Sequence, residues 1–256
     1  MTSVPTWYWA LVAGVVGLAL GSFFSVLTWR WPREESLVSP RSRCTSCGHQ
    51  LRWHEGVPVL SWLALGARCS SCGERIHWRY PALELASGGL AAGAILAFGA
   101  SWRGLAVMVM TLALVPVVVI DLEHRLIPNL VVLPAAGVAL ACSVLATPDR
   151  WWVPVAAAGG AAAFLGLLWL VYPRGMGFGD VKLALLLGAV LGASVIPALA
   201  IAFFAGALLG AALLVRVGRT ARKAAVPFGP FLAAGALLAL WCGPAMLNWY
   251  ADRIGG

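Results

Sequence analysis

Two groups of residues in this chain could do chemistry. Four cysteines fall into two similarly spaced pairs, CTSCGH at Cys44–His49 and CSSCGE at Cys69–Glu74, with 21 residues between the pairs. Two Cys-x-x-Cys pairs can close a tetrahedral four-thiolate zinc site of the ribbon or knuckle type, so Cys44, Cys47, Cys69 and Cys72 are the expected ligands. Gly48 and Gly73 follow each pair and let backbone amides point at the sulfurs. Two disulfides, or a redox pair, are the alternatives. No thioredoxin-like βαβ pattern surrounds either motif, and an intracellular location would argue against stable disulfides. His49, His54 and His77 are nearby, but four thiolates already fill a zinc shell. Cys142 and Cys242 lie in apolar runs and read as packing residues. The second group is acidic. Glu84, Asp121, Glu123 and Asp180 stand at or inside the ends of strongly apolar segments. An Asp at the centre of a bilayer costs about 2.5–3.5 kcal/mol on insertion scales, so carboxylates so placed are functional candidates.

The elements that must position these residues are membrane helices. The chain has 256 residues, 61% hydrophobic and 11% charged, with mean hydropathy +0.87. A soluble domain carries about 25% charged residues. The apolar runs show no apolar/polar alternation, which excludes a β-barrel. At about 20 residues per span, eight helices are expected, over 7–29, 81–100, 105–123, 129–147, 153–172, 181–196, 198–215 and 230–250. The expected fold is an all-α polytopic membrane protein with a zinc-binding loop between the first two helices. Its divisions are the first helix (1–29), the tetracysteine loop (30–80) and the remaining helices (81–256). If the loop is cytoplasmic, 15 of the 18 Lys and Arg lie on that side, including Arg125, Arg174, Lys182, Arg216, Arg219, Arg222 and Lys223. The positive-inside rule then places the N-terminus outside. MTSVPTWYW has no positive charge ahead of its apolar run, so no cleavable signal peptide is expected. The net charge of +8 follows the loops, so lipid is the expected surroundings and nucleic acid is not an expected partner.

This orientation brings the acids to one depth. The third helix runs inward and carries Asp121 near its cytoplasmic end, the sixth runs outward from Asp180, and Glu84 opens the second. When two carboxylates share a site, one keeps a proton while the other ionises. The ionised acid can take a proton from water while its partner polarises a carbonyl, which is peptide hydrolysis without a covalent intermediate. Gly177 and Gly179 would free the backbone beside Asp180 and let it approach a substrate strand. Other readings stand beside this one. Asp180 could simply cap its helix, Asp121 could pair with Arg125 one turn on, and proton-coupled transporters use similar acids. A zinc-containing transporter or assembly factor without hydrolytic activity is the alternative from another class. The acids cluster at one face, however, and the helix pattern shows no clear internal repeat.

Taken together the motifs resemble the type IV prepilin leader peptidases, membrane aspartic proteases marked by GxGD. The resemblance rests on Gly177-Phe178-Gly179-Asp180 followed by VKL, and on IDLEHRLIPN at 120–129. GSFFSVLTWR at 21–30, VPVLSWLALGARCSSCGERIHWRYPALEL at 57–85 and PFGPFLAAGA at 227–236 extend it. It implies an endopeptidase that removes basic leaders from prepilins and pseudopilins at the cytoplasmic side of the bacterial inner membrane. S-adenosylmethionine-dependent methylation of the new N-terminus is expected to follow. Carried over, Asp121 and Asp180 are the catalytic pair, with Asp121 preferred to Glu123 because the family's acid takes the first position of that motif. Gly177, Gly179, Glu84 and Lys182 are expected to support the site, and the four cysteines match the family's tetracysteine loop. One departure is Ser25, where the family usually has Asn, which bears on methylation. No Gly-rich nucleotide loop marks a methyl-donor site. Oligomeric state is not encoded in any of these features.

Overall fold

The computed structural model describes residues 4–173, 175–217 and 226–254. Arg174, Arg219, Arg222 and Lys223, counted above among the inward charges, lie outside the described residues. Nine α-helices are found among the described residues. They are α1 (Thr6–Arg30), α2 (Leu60–Ala64), α3 (Arg79–Phe98), α4 (Trp102–His124), α5 (Asn129–Ala146), α6 (Trp152–Val171), α7 (Phe178–Leu191), α8 (Val195–Val217) and α9 (Gly229–Ile254). Strands are absent there apart from two isolated antiparallel bridges. Seven segments are long and apolar enough to cross a membrane. One of them, Phe178–Arg216, has 39 residues. As one helix it would extend about 58 Å, nearly twice the hydrocarbon thickness. It is broken at Gly192, whose φ is +58°, and so gives α7 and α8, the sixth and seventh expected helices. Each long helix overlaps its expected span and differs by a few residues at the ends. Leu170 and Phe204 are 66% and 73% exposed, a surface that suits lipid and not water.

Along the sequence the chain divides into two compact units, with the boundary after Pro116, inside α4. In the first unit α1 lies along α3, because small residues remove the side chains that would hold the two apart. A Cβ on Gly17 would sit 2.5 Å from the Ser87 carbonyl oxygen, and one on Gly21 would sit 2.6 Å from Glu84 Cα. Between these helices residues 31–78 form a long loop, with α2 as its one short α-helix.

In the second unit α7 takes the central place. Its LALLLGAVL run is apolar on every side, as a helix surrounded by others must be. Residues Leu186 to Leu191 are all buried, and α7 packs against α5, α6 and α9. A side chain at Gly188 would run into the Ala157 carbonyl of α6. α8 packs on α9. Asp180 is the third residue of this central helix, and so its position is fixed by the core of the unit.

Candidate active site and metal centre

Asp121 and Asp180 both belong to the second unit, and each is 5% exposed. They lie near enough for the charge of Asp121 to act on Asp180. Each carboxylate is held by a main-chain donor at the start of a helix. The Gly229 N–H, at the first residue of α9, donates to Asp121 Oδ2 at 2.8 Å. The Gly177 N–H, just ahead of α7, donates to Asp180 Oδ2 at 3.2 Å. Such N–H groups have no partner within their helix and carry the positive end of its dipole, so both positions favour negative charge. Among the described residues no further hydrogen bond is made by either carboxylate, which leaves one oxygen of each for a water or a peptide. The cap and the pair are therefore compatible readings of Asp180. Arg125 ends α4 in the left-handed region, with φ 57°, and donates its main-chain N–H to the Asp121 carbonyl. No Asp121–Arg125 ion pair forms among the described residues.

The glycines do something different from what their sequence suggests. Gly177 has φ −76° and ψ 143°, and Gly179 is helical, conformations open to any residue. Space explains Gly179, since a Cβ there would sit 2.7 Å from Ile127 Cβ. The Ile127 of the first acidic motif thus packs on the glycine of the second, and sets α7 against the chain that follows α4. Lys182 turns to neither acid. Its Nζ donates to Asn129 Oδ1 at 2.8 Å, joining α7 to the first residue of α5, and stands 5.0 Å from the Phe178 ring centroid. Gly229 is a site residue that the sequence alone does not mark. A backbone donor leaves no residue-type signature, and the only hint was a Pro-Phe-Gly-Pro turn opening an apolar helix. There, too, a side chain is excluded, because a Cβ would lie 2.8 Å from Asp121 Oδ2.

In the first unit the four expected cysteines converge, with ligand atoms all within 4.8 Å of one another. Each pair forms the same turn. The Cys44 N–H donates to the His49 carbonyl and the Gly48 N–H to the Cys44 carbonyl, while Cys69, Glu74 and Gly73 repeat both bonds. Gly48 and Gly73 have φ of 74° and 72°, where a side chain would be strained. The bridges Arg43–Gln50 and Arg68–Arg75 close the two turns. Sulfurs at the corners of a zinc tetrahedron stand about 3.8 Å apart for Zn–S bonds of about 2.3 Å. The cross pairs Cys44–Cys72 and Cys47–Cys69 stand at 3.8 and 4.0 Å, and all four cysteines are free thiols. The residues present fit zinc. The Cys47 N–H, followed by that of Ser46, lowers the Cys44 thiol to about 6. The Glu74 N–H lowers Cys72 as well, but the neighbouring thiols, Cys47 foremost, push it up to about 12. Four thiolates this close need a cation between them. His49 instead meets Glu55 Oε2 at 3.2 Å, and Glu55 also accepts the Arg52 N–H. A hydrogen bond from Ser70, then that from Arg52, holds the Glu55 carboxyl down at about 2, so this acid ties the two turns together.

Glu84 lies in the second turn of α3, since that helix starts at Arg79, and belongs to the first unit. Its Oε2 accepts the Val59 N–H at 2.8 Å. Val59 has φ 60° and ψ −49°, and the Leu60 N–H reaches the Pro58 carbonyl at 2.6 Å. This is a γ-turn of the strained, positive-φ kind, here on a β-branched residue. A buried carboxylate is thus spent on holding the loop in an unfavourable conformation. Ser25 donates its hydroxyl to the Ser22 carbonyl at 2.6 Å.

Comparison with known proteins finds two family matches along the chain. Residues 15–98 match the bacterial peptidase A24 N-terminal domain, and residues 105–215 match the type IV leader peptidase family. The chain is 37% identical over 268 residues to a Pseudomonas putida protein named prepilin leader peptidase/N-methyltransferase, covering 91% of each chain. A Bacillus subtilis protein of the same name is 36% identical over 239 residues, covering 92% of this chain and 95% of its own. The Myxococcus xanthus protein of that name is 38% identical over 231 residues, covering 85% and 68% respectively. No solved structure matches. The helical content, the seven candidate spans and these relatives define a multi-pass membrane protein of a peptidase class. The chain belongs to the type IV leader peptidase family.

Proposed function

We propose that this protein is a prepilin peptidase of the bacterial inner membrane, which cuts the basic leader from prepilins and pseudopilins and methylates the new N-terminus. The observation that carries the reading is that Asp121 and Asp180 are both buried and near enough for one charge to act on the other, each with an oxygen held by a glycine N–H. The pair shares one proton and activates one water. The ionised acid accepts the water's proton as the oxygen attacks the scissile carbonyl carbon, and its partner protonates the carbonyl oxygen. Collapse of the tetrahedral species breaks the C–N bond and delivers a proton to the departing amine. The bonds to Gly229 and Gly177 orient the acids, so that their second oxygens face water and carbonyl.

The Lys and Arg distribution supports an outward N-terminus and a cytoplasmic loop, which puts the acid pair at the inner surface where leaders remain. Zinc bound by Cys44, Cys47, Cys69 and Cys72 would fold a loop that has little core of its own. S-adenosylmethionine, when bound, supplies a methyl group on a positively charged sulfur. The family and the names of its relatives leave a transporter or assembly factor unfavoured. The test is cleavage of a prepilin by wild-type protein, Asp121→Asn and Asp180→Asn. Each variant should fold and fail to cleave, and retained cleavage in both removes the acid pair from the mechanism. A product heavier by one CH₂ group identifies methylation.

A further inference from the structure

We propose that the hollow between α1 and residues 37–42 holds an anionic phospholipid, with its phosphate at Arg41 and one acyl chain laid along α1. The cavity measures about 360 Å³ and lies wholly within the first unit. Its floor is one stripe of α1, formed by Ala19, Ser22, Phe23 and Val26 at the three- and four-residue steps that share a helix face. Gly17 and Gly21, which meet α3, lie on the opposite side of the helix. The floor is therefore turned toward lipid, and Phe23 there is 46% exposed. From Ala19 to Arg30 the helix rises about 16 Å, close to half of a hydrocarbon thickness of about 30 Å. The stripe has the length of one leaflet.

The roof over this stripe is fastened in place. Arg30, at the end of α1, donates through Nη1 to the Ser36 carbonyl at 2.9 Å and through Nη2 to the Pro40 carbonyl at 2.8 Å. The segment between those two carbonyls is thereby held above the groove. Carbonyls do not neutralise a guanidinium, so Arg30 keeps its charge at the head of the cavity. Arg41 adds a second charge, and no acid among the described residues lines the space. Arg33 is engaged elsewhere, donating to the Trp29 carbonyl at 2.6 Å and lying 3.8 Å from the centroid of that ring. Arg41, by contrast, is exposed and makes no hydrogen bond or ion pair among the described residues. Its planar fork of donors is left for a phosphate, which such a group binds through two parallel bonds. Ser22 and Ser42 bring hydroxyls suited to the glycerol and phosphate oxygens.

Leu37, Val38 and Pro40 complete the apolar part of the wall. Val38 is 89% exposed, which is unfavourable against water and favourable against an acyl chain. Charge at the head and apolar surface along the helix is the order in which a phospholipid presents its phosphate and its chain. Two positive charges with no acid favour a headgroup of net negative charge over a zwitterionic one, whose ammonium they repel. They also repel a basic leader, which makes lipid a better occupant than substrate. The cavity takes the glycerophosphate and the upper part of one chain, and the remainder of the lipid lies on its open side, in the bilayer.

The experiment is native mass spectrometry of the full-length protein from detergent micelles that contain dioleoylphosphatidylglycerol, dioleoylphosphatidylcholine or dioleoylglycerol at equal concentration. Wild-type protein should keep one phosphatidylglycerol per chain and much less of the other two. Arg41→Gln should weaken that retention by about 5-fold, the effect of one arginine at a lipid headgroup. Val26→Trp should abolish it by filling the floor. Unfolding curves show whether each variant is folded. Inorganic phosphate in excess should leave the lipid bound, which separates a lipid site from a phosphate site. A phosphatidylglycerol with a photoreactive diazirine on one chain, added to wild-type protein in detergent at a low lipid ratio, should label residues 19–26 or 37–38. That labelling decides the matter even if a variant fails to fold. The proposal is overturned if wild-type protein keeps no lipid or keeps all three alike. It is overturned equally if phosphate displaces the lipid, if both folded variants bind as wild type does, or if the label falls on other segments.

Discussion

Replacing Gly229 with alanine isolates one support of the acid pair. Its backbone lies outside the left-handed region, so alanine can take the same conformation and the change acts through the added methyl alone. That Cβ would sit 2.8 Å from Asp121 Oδ2, 3.3 Å from Cγ and 3.4 Å from Cβ. Ordinary contact begins near 3.4 Å, so the carboxylate must retreat by roughly 0.6 Å or more. It cannot do so and keep a 2.8 Å bond to the N–H of the same residue. A hydrogen bond to a charged group contributes about 1.5–3 kcal/mol, and a misplacement of about 1 Å at a reacting group costs about 100-fold. We therefore expect kcat/KM for leader cleavage to fall by about 10- to 100-fold. The unfolding temperature should fall by some degrees, as a loss of about 1.5–3 kcal/mol implies, with the protein still folded. The assay is a time course of prepilin cleavage in detergent or proteoliposomes, beside an unfolding curve of the same preparation. Wild-type kcat/KM in a folded Gly229→Ala protein would refute the orienting role of this residue.

Gly179→Ala should act by a different route, because its Cβ meets Ile127 and not an acid. Overpacking of this kind costs about 1–3 kcal/mol, so here too the unfolding temperature should fall along with activity. Val59→Gly should raise resistance of the 57–65 segment to limited proteolysis, since glycine accepts the positive φ that strains valine by about 1–3 kcal/mol. Glu84→Ala should do the reverse by removing the acceptor of the Val59 N–H, and its effect should shrink in a Val59→Gly background. Elemental analysis should find one zinc per chain. Cys69→Ser or a strong chelator should abolish it and open the loop to protease.

The helices were legible because their signal is composition over long runs, and lipid demands it of each run separately. The cysteine centre was legible for a similar reason, as ligand chemistry fixes residue type and local spacing. Asp121 and Asp180 are 59 residues apart, and they are linked in the sequence by membrane depth and by the family resemblance, not by spacing. What stayed hidden depends on contact between distant segments. Gly177 and Gly179 suggested an adaptable backbone, whereas Gly179 makes room for Ile127. Lys182, expected to support the site, bonds Asn129, 53 residues away, a partner that no local pattern announces. The donor at Gly229 is a main-chain group, and such groups are the same at every residue but proline. Val59 was equally silent, since valine gives no warning of a positive φ.

The placing of Gly229 and Gly179 has a consequence for how this family can change. What matters at both positions is an absence of atoms, one methyl's worth of room beside an acid and another beside Ile127. The supports of the acids are lengths of main chain whose path any sequence could encode, and only the gaps are written in residue type. Substitution in the surrounding apolar helices is therefore tolerable where those two hollows, and close approaches such as that at Gly188, stay open. The reactive centre is inherited as negative space.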